Sequence, residues 1–235
     1  MLSKILSLFG AGKSGTSGKP ARGPAVSGPP YAPYGREAPD RLYNLLFCDD
    51  PTAFAPRSNE TPTYWQSVLF EEPVDPQAVM KLARDPSAEG RVRALACLGL
   101  RRNGLPVVPP KQLMGVIVEA ALAGGLDVLA AYSDGAVRYI DPAGKPAVFE
   151  HMEGLQPAVG RLLMASHTIT DRIGPWGRSR RPPPAQGHVR LSFLMSDGLY
   201  LGEGPLATMH RDPVAGPTFQ RATELMQLVR GLATA

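Results

Sequence analysis

The chain has 235 residues, with 25 lysines and arginines against 21 aspartates and glutamates, and a formal net charge of +4. Glycine and proline number 25 each, a combined share of about a fifth, where an average protein has about 12 %. This composition excludes a collagen, a coiled coil and a wholly disordered chain, and no apolar run reaches the roughly 18 residues of a membrane-spanning helix.

The excess of positive charge lies at the start of the chain. Residues 1–37 contain one acidic residue, Glu37, against five basic ones: Lys4, Lys13, Lys19, Arg22 and Arg36. The rest of the chain is therefore neutral overall, whereas nucleic-acid-binding domains carry their basic patch on the folded part. We expect no nucleic-acid partner.

The first residues, MLSKILSLF, place their large apolar side chains at helical spacing. Leu2, Ile5, Leu6 and Phe9 fall on one face of a short amphipathic segment, residues 1–9. A segment of this length is too short to form a stable helix alone in water. It would need a membrane surface or a partner groove, and a frayed chain start is the alternative.

Residues 10–39 are rich in Gly, Ser, Pro and Ala, with a few basic residues. Such a composition buries too little apolar surface to offset the entropy cost of ordering the chain. We predict a disordered, flexible linker that tethers segment 1–9 to the folded part.

Residues 40–109 are predicted to form a mostly helical segment packed on the main domain. Asp40 is the expected N-cap of a first helix, and Asp75 and Asp85, each followed by proline, start two more. Residues 40–75 contain seven acidic and two basic residues. This negative stretch would suit either the basic tail or the arginine-rich loop described below.

Residues 110–235 are predicted to form an α+β domain. A helix is expected over KQLMGVIVEAALA, residues 111–123. The stretches LDVLAAYSDGAVRYI and VRLSFLMSDGLYLGE then each place Ser-Asp-Gly between apolar runs, which is typical of a β-hairpin. Amphipathic helices are expected over residues 155–173 and from Pro217 onward. The predicted fold is an antiparallel sheet built from two Ser-Asp-Gly hairpins with flanking helices.

The order of these elements over residues 110–232 is helix, strands, helix, strands, helix. It resembles the order in roadblock, longin and profilin-like domains. The resemblance rests on no shared motif and implies a fold rather than a function. Partner binding and dimerisation are common in such domains, so a homodimer is one expectation that follows from it.

The sequence offers little for catalysis. None of the four histidines, His151, His167, His188 and His210, lies three or four residues from another, so no helical metal pair is formed. Cys48 and Cys97 have no partner at metal-ligand spacing. We expect no catalytic residue, no metal site, no cofactor, and a reducing cytoplasmic location.

The most unusual stretch is the loop 174–187, GPWGRSRRPPPAQG. Arginine suits carboxylates and phosphates through its planar fork, and tryptophan offers a stacking face. One interpretation is a binding site for an anion or an acidic partner. The other is a mobile surface loop with solvated arginines. The candidate binding residues are Trp176, Arg178, Arg180, Arg181, His188 and Arg190.

Two functional hypotheses follow. The first is a non-enzymatic protein-interaction or scaffold module of bacterial type, with a flexible basic N-terminal tether and a partner that has an acidic surface. In a variant of it, residues 1–9 make a peripheral contact with the inner face of the membrane. The second is a small-anion-binding protein or enzyme with its site under the arginine-rich loop.

Overall fold

The computed structural model describes residues 30–107 and 109–234. Within these ranges lie seven α-helices and one six-stranded antiparallel sheet. The predicted α+β class, with a sheet built from two Ser-Asp-Gly hairpins, is confirmed. The amphipathic segment 1–9 and residues 10–29 of the predicted linker lie outside the described residues.

Four helices precede the sheet: α1 (Glu37–Leu45), α2 (Tyr64–Phe70), α3 (Pro76–Arg84) and α4 (Gly90–Arg102). The first four strands follow without interruption: β1 (Leu113–Leu122), β2 (Gly125–Tyr132), β3 (Val137–Ile140) and β4 (Pro146–Phe149). The remaining elements are α5 (Gln156–Thr170), β5 (His188–Met195), β6 (Gly198–Pro205), α6 (Leu206–Arg211) and α7 (Ala215–Thr234). No helix in the described ranges is long and apolar enough to cross a bilayer.

The strand order in the sheet is β4-β3-β2-β1-β5-β6. Beside β2 and β1 at the centre, β1 also pairs with β5, which lies on the other side of α5 in the sequence, and the two strands run antiparallel. Their register sets Glu119 opposite Arg190, and the next pair sets Arg190 opposite Glu203. Three charged residues therefore form a row across β1, β5 and β6, on the same face of the sheet.

The predicted helix over residues 111–123 is wrong, because this stretch forms the strand β1. Its position in the middle of the sheet buries it on both faces, so apolar residues fill nearly every position and no alternation remains. The β-branched residues Val116, Ile117 and Val118 fit an extended backbone well. Gly115 also suits this place, since an added Cβ would lie 2.7 Å from the ring of Tyr132.

The sheet has two differently covered faces. The α5/α7 face carries Val116, Val118, Leu191 and Phe193, which pack with α5 and α7 in one hydrophobic core. The opposite face, which we call the α4 face, packs against the helices that precede the sheet in a second core. Alternate residues of β1 and β5 thus enter two separate cores.

Residues 30–39, the last part of the predicted linker, are ordered against the α4 face, which corrects the expectation of disorder for this stretch. The Tyr34 hydroxyl donates to the Leu126 carbonyl at 3.0 Å, and the Asp40 carboxylate accepts from the backbone N–H of Tyr34 and Arg36, both at 2.8 Å. Asp40 closes the turn before α1, and the helix itself begins at Glu37 rather than after Asp40. Two tyrosines give this Gly- and Pro-rich stretch the buried area and hydrogen bonds that its composition alone does not suggest.

Candidate functional site

The arginine-rich loop 174–187 connects α5 to β5 and is fixed by backbone hydrogen bonds near both ends. The Trp176 N–H donates to the Leu199 carbonyl of β6 at 2.8 Å, and the Gly187 N–H donates to the Ala121 carbonyl of β1 at 2.7 Å. Within the loop the indole N–H of Trp176 donates to the Ser179 carbonyl at 3.0 Å. The loop is therefore held against the sheet rather than projecting into solvent.

Arg180 is the residue that anchors the middle of this loop. Its side chain is 2 % exposed, and its Nε donates to the Asp49 carboxylate at 2.8 Å. Its Nη2 donates to the Asn44 side-chain oxygen at 2.8 Å, and its guanidinium lies 4.1 Å from the centroid of the Phe47 ring. The interpretation of a solvated arginine does not apply here, because a carboxylate of the acidic stretch 40–75 binds Arg180 inside the molecule.

Arg190 is buried under the same loop. Its side chain is 2 % exposed and lies between two carboxylates, at 2.7 Å from Glu203 and 3.4 Å from Glu119. The guanidinium also donates to the backbone carbonyls of Arg181 and Pro182. Arg190 therefore joins three strands of the sheet to the loop that lies over them.

Glu119 is the most deeply buried charge of this group, with a fully inaccessible side chain. Burial raises the pKa of this carboxyl group, while the nearby Arg190 and the hydrogen bond from the Tyr43 hydroxyl, 2.7 Å long, lower it. Burial also raises the pKa of Tyr43, and the negative charge of Glu119 raises it further. The Tyr43 hydroxyl therefore keeps its proton and donates it in the hydrogen bond to Glu119, which links α1 to β1.

Together these groups form a buried ion cluster of two arginines and three carboxylates: Arg180, Arg190, Asp49, Glu119 and Glu203. The positive charges of Arg180 and Arg190 are bound by the protein's own carboxylates. Of the two guanidinium groups, only Arg180 Nη1 is buried without a hydrogen-bond partner in the described part of the chain. The arrangement holds the helical segment, the sheet and the loop together.

Three of the predicted residues form what we call the Trp176 patch: the half-buried Trp176 and the exposed Arg178 and Arg181. The guanidinium carbons of Arg178 and Arg181 lie 5.7 and 6.0 Å from the Trp176 ring. Arg181 is also 3.2 Å from Glu203, with its side chain 46 % exposed. Arg178 is exposed and makes no ion pair with any described residue.

His188 does not join this patch. It is half-buried at the start of β5, and its Nδ1 lies 3.4 Å from the Gln186 carbonyl. The other histidines, His151, His167 and His210, are exposed. Among residues 30–107 and 109–234, no group of three His, Cys, Asp or Glu side chains is arranged to hold a metal ion.

Sequence reasoning missed the partners of the buried arginines. Asp49, Glu119 and Glu203 are far apart in the chain, and only the strand register and the packing of α1 bring them together. One signal was present in the sequence. Glu119 is the single charge in the apolar run MGVIVEAAL, and a carboxylate in such a run requires a buried partner.

Comparisons with known proteins do not identify this site. No protein-family model matches the chain, and no curated protein matches it.

Proposed function

We propose that the chain is a non-enzymatic protein-interaction module whose Trp176 patch docks on an acidic surface of a partner protein. The observation that supports this is the division of roles within one loop. Arg180 is buried and anchors the loop, while Arg178 and Arg181 are exposed beside the Trp176 ring.

A patch of this kind suits protein recognition for physical reasons. Tryptophan and arginine are the residues most enriched among those that dominate binding energy at protein interfaces. An arginine that stacks on an indole is held in one orientation, so less entropy is lost when its planar fork binds a carboxylate. The bonds from Trp176 to Leu199 and from Arg180 to Asp49 fix the loop before any partner arrives.

The alternative, a small-anion site or active site under the loop, has less support. The two guanidinium groups beneath the loop, those of Arg180 and Arg190, already bind carboxylates at 2.7 to 3.4 Å. An incoming anion would have to displace a buried carboxylate, which would then lie without a partner in a low-dielectric site. Binding of a carboxylate at the exposed Arg178 displaces no buried group and therefore has no such cost.

The test uses the full chain with Trp65→Phe, which leaves Trp176 as the only tryptophan because the sequence contains two. The fluorescence of Trp176 is followed during titration with poly-L-glutamate and, separately, with inorganic phosphate. We expect saturable binding of the polypeptide that weakens steeply with salt, and little response to phosphate. Saturable phosphate binding without polypeptide binding would favour the small-anion alternative.

Matched variants locate the site. Arg178→Ala with Arg181→Ala should weaken poly-L-glutamate binding at least tenfold. The free energy of unfolding should fall by no more than about 1 kcal/mol, since the half-exposed ion pair of Arg181 with Glu203 contributes little. Arg161→Ala with Arg172→Ala removes the same charge from two other exposed arginines and should change binding less than threefold. Equal losses in both pairs would mean that net charge alone controls binding, and the proposed site would be wrong.

A further inference from the structure

The helix α2 is apolar but poorly covered. Trp65, Val68 and Leu69 pack partly buried against the core of the α4 face, and none of the five large apolar residues of the helix is fully buried. Tyr64 is 70 % exposed, and Val74, shortly after the helix, is 41 % exposed. Trp65 and Phe70 lie edge to face with their ring centroids 6.5 Å apart. We call this surface, with the two glutamates that follow it, the α2 platform: Tyr64, Trp65, Phe70, Glu71, Glu72 and Val74.

The α2 platform is also negatively charged. Glu71 and Glu72 are exposed and form no ion pair within the described ranges. Other acidic residues of the stretch 40–75 have partners, since Asp49 binds Arg180 and Glu60 lies 3.4 Å from Arg57. The platform therefore combines apolar surface with negative charge that nothing in the described structure neutralises.

We propose that the α2 platform binds this chain's own N-terminal segment, residues 1–9. The segment has the complementary chemistry, because Leu2, Ile5, Leu6 and Phe9 are spaced so that a helix would carry them on one face, and Lys4 adds a positive charge. A helix that cannot be stable alone in water gains its stability by laying that face on an apolar surface. This inference is independent of the Trp176 patch.

The chain is long enough to make this contact within one molecule. Residues 10–29 join the segment to Pro30, where the described structure begins. About 20 residues span up to roughly 70 Å when extended, whereas a domain of this size is roughly 45 Å across. A linker of this length gives an effective concentration in the millimolar range, so even weak docking is populated.

Hydrogen–deuterium exchange on the full chain tests the proposal. In Ile5→Asn with Leu6→Asn, the amides of residues 64–70 should exchange at least fivefold faster than in the wild type, because the cover of α2 is lost. Ser3→Asn with Ser7→Asn places the same groups on the opposite face of the segment. This control should leave the exchange of residues 64–70 unchanged.

Charge reversal gives a second, independent measurement. Glu71→Lys with Glu72→Lys should speed exchange of the same amides, and adding Lys4→Glu with Lys13→Glu should restore much of the protection. Failure of that rescue, together with unchanged exchange in the Ile5 and Leu6 variant, would overturn the proposal.

Two other occupants give distinct results. Protection of α2 that rises with protein concentration, with a dimer in sedimentation equilibrium, would assign the platform to the segment of a second copy. A second result would assign the segment to a membrane. In it, the Ile5 and Leu6 variant leaves the protection of α2 unaltered, and the wild-type segment 1–9 binds vesicles of anionic lipid. Either result overturns docking within one molecule.

Discussion

The two faces of the sheet are made by alternate residues of the same strands and each buries an apolar core, but the α4 face also carries the ion cluster. In β5 the α5/α7 face carries Leu191 and Phe193, both fully buried in hydrocarbon. The neighbouring Arg190 points to the α4 face and binds two carboxylates there. Hydrocarbon packing stabilises without dictating partners, whereas a buried ion cluster is costly unless every partner is in place. We infer that both apolar cores supply stability, while the ion cluster in addition fixes how the loop 174–187 and α1 are positioned.

The largest expected effect comes from removing the cation at the centre of the cluster. Arg190→Ala leaves Glu119 and Glu203 buried without it, and we expect a loss of about 3–5 kcal/mol in the free energy of unfolding. Urea denaturation followed by circular dichroism measures this loss. The combined variant Glu119→Leu, Arg190→Met and Glu203→Leu should cost much less, because no buried charge is then left unpaired and Arg181, which loses Glu203, is half-exposed. A loss below about 1 kcal/mol for Arg190→Ala would show that water reaches the cluster.

Truncation of Phe193 on the α5/α7 face gives the free energy with which the loss in Arg190→Ala is compared. Phe193→Ala should cost about 3–5 kcal/mol in urea denaturation, through lost burial and the cavity that remains. Leu163, on α5, is only partly buried against the same core, so Leu163→Ala should cost clearly less. Equal costs for the two truncations would mean that α5 packs more tightly than the structure shows.

A smaller effect is expected from the tyrosine that links α1 to the cluster. Tyr43→Phe removes the hydroxyl that donates to Glu119 at 2.7 Å, and hydrogen bonds to charged groups contribute about 1.5–3 kcal/mol. Tyr64→Phe is the matched control, because Tyr64 is 70 % exposed and should change the free energy of unfolding by less than about 0.5 kcal/mol. Both are measured by urea denaturation, and similar values would contradict the role given to Tyr43.

Two glycines of α4 test how closely this helix approaches the sheet. A Cβ on Gly90 would lie 2.6 Å from the Met114 carbonyl oxygen, whereas a Cβ on Gly99 would meet nothing within 4 Å. We expect Gly90→Ala to destabilise by about 1–3 kcal/mol and Gly99→Ala to stabilise by about 0.5–1 kcal/mol. Opposite shifts in the thermal unfolding temperature check this. Shifts of the same sign would contradict the close contact at Gly90.

The smallest expected effect concerns the rate at which the two cysteine thiols react. Burial raises the pKa of Cys97 to about 11 and that of Cys48 to about 12. Near pH 8 the thiolate fraction of Cys97 is then roughly one in a thousand, so both thiols of the α4 face should react slowly with an aromatic disulfide reagent. Denaturing urea should expose both thiols at the same time, so that both then react with the reagent. Rapid reaction of either thiol in the native protein would show that the α4 face opens easily.

The sequence predicts the hairpins well and the central strand poorly, for a physical reason. The turns Ser133-Asp134-Gly135 and Ser196-Asp197-Gly198 are determined by local chemistry, because glycine accepts the positive φ they require, 87° at Gly135 and 151° at Gly198. The strand β1 has no such local signal. Its apolar run is equally consistent with a buried helix, and only pairing with β2 and β5 decides the outcome.

The candidate site could be predicted only in part. Arginine and tryptophan in one loop are visible in the sequence, and three of the predicted residues do lie together as the Trp176 patch. That Arg180 and Arg190 are buried depends on Asp49 and Glu119, whose positions are set by tertiary packing. Residue type predicts which chemistry is present, and long-range contacts decide whether it faces a partner or the protein itself.

Tyr31 connects the beginning of the described chain to the loop that carries the Trp176 patch. Its hydroxyl donates to the Arg180 carbonyl at 2.8 Å across 149 positions of sequence, and its backbone N–H donates to Asn44 at 2.9 Å. A pull on the chain upstream of Pro30 therefore loads these two bonds before any strand of the sheet. If the protein is attached to another structure through its N-terminal residues, mechanical tension reaches the arginine loop first. The sheet bears the force only after the two hydrogen bonds of Tyr31 have broken.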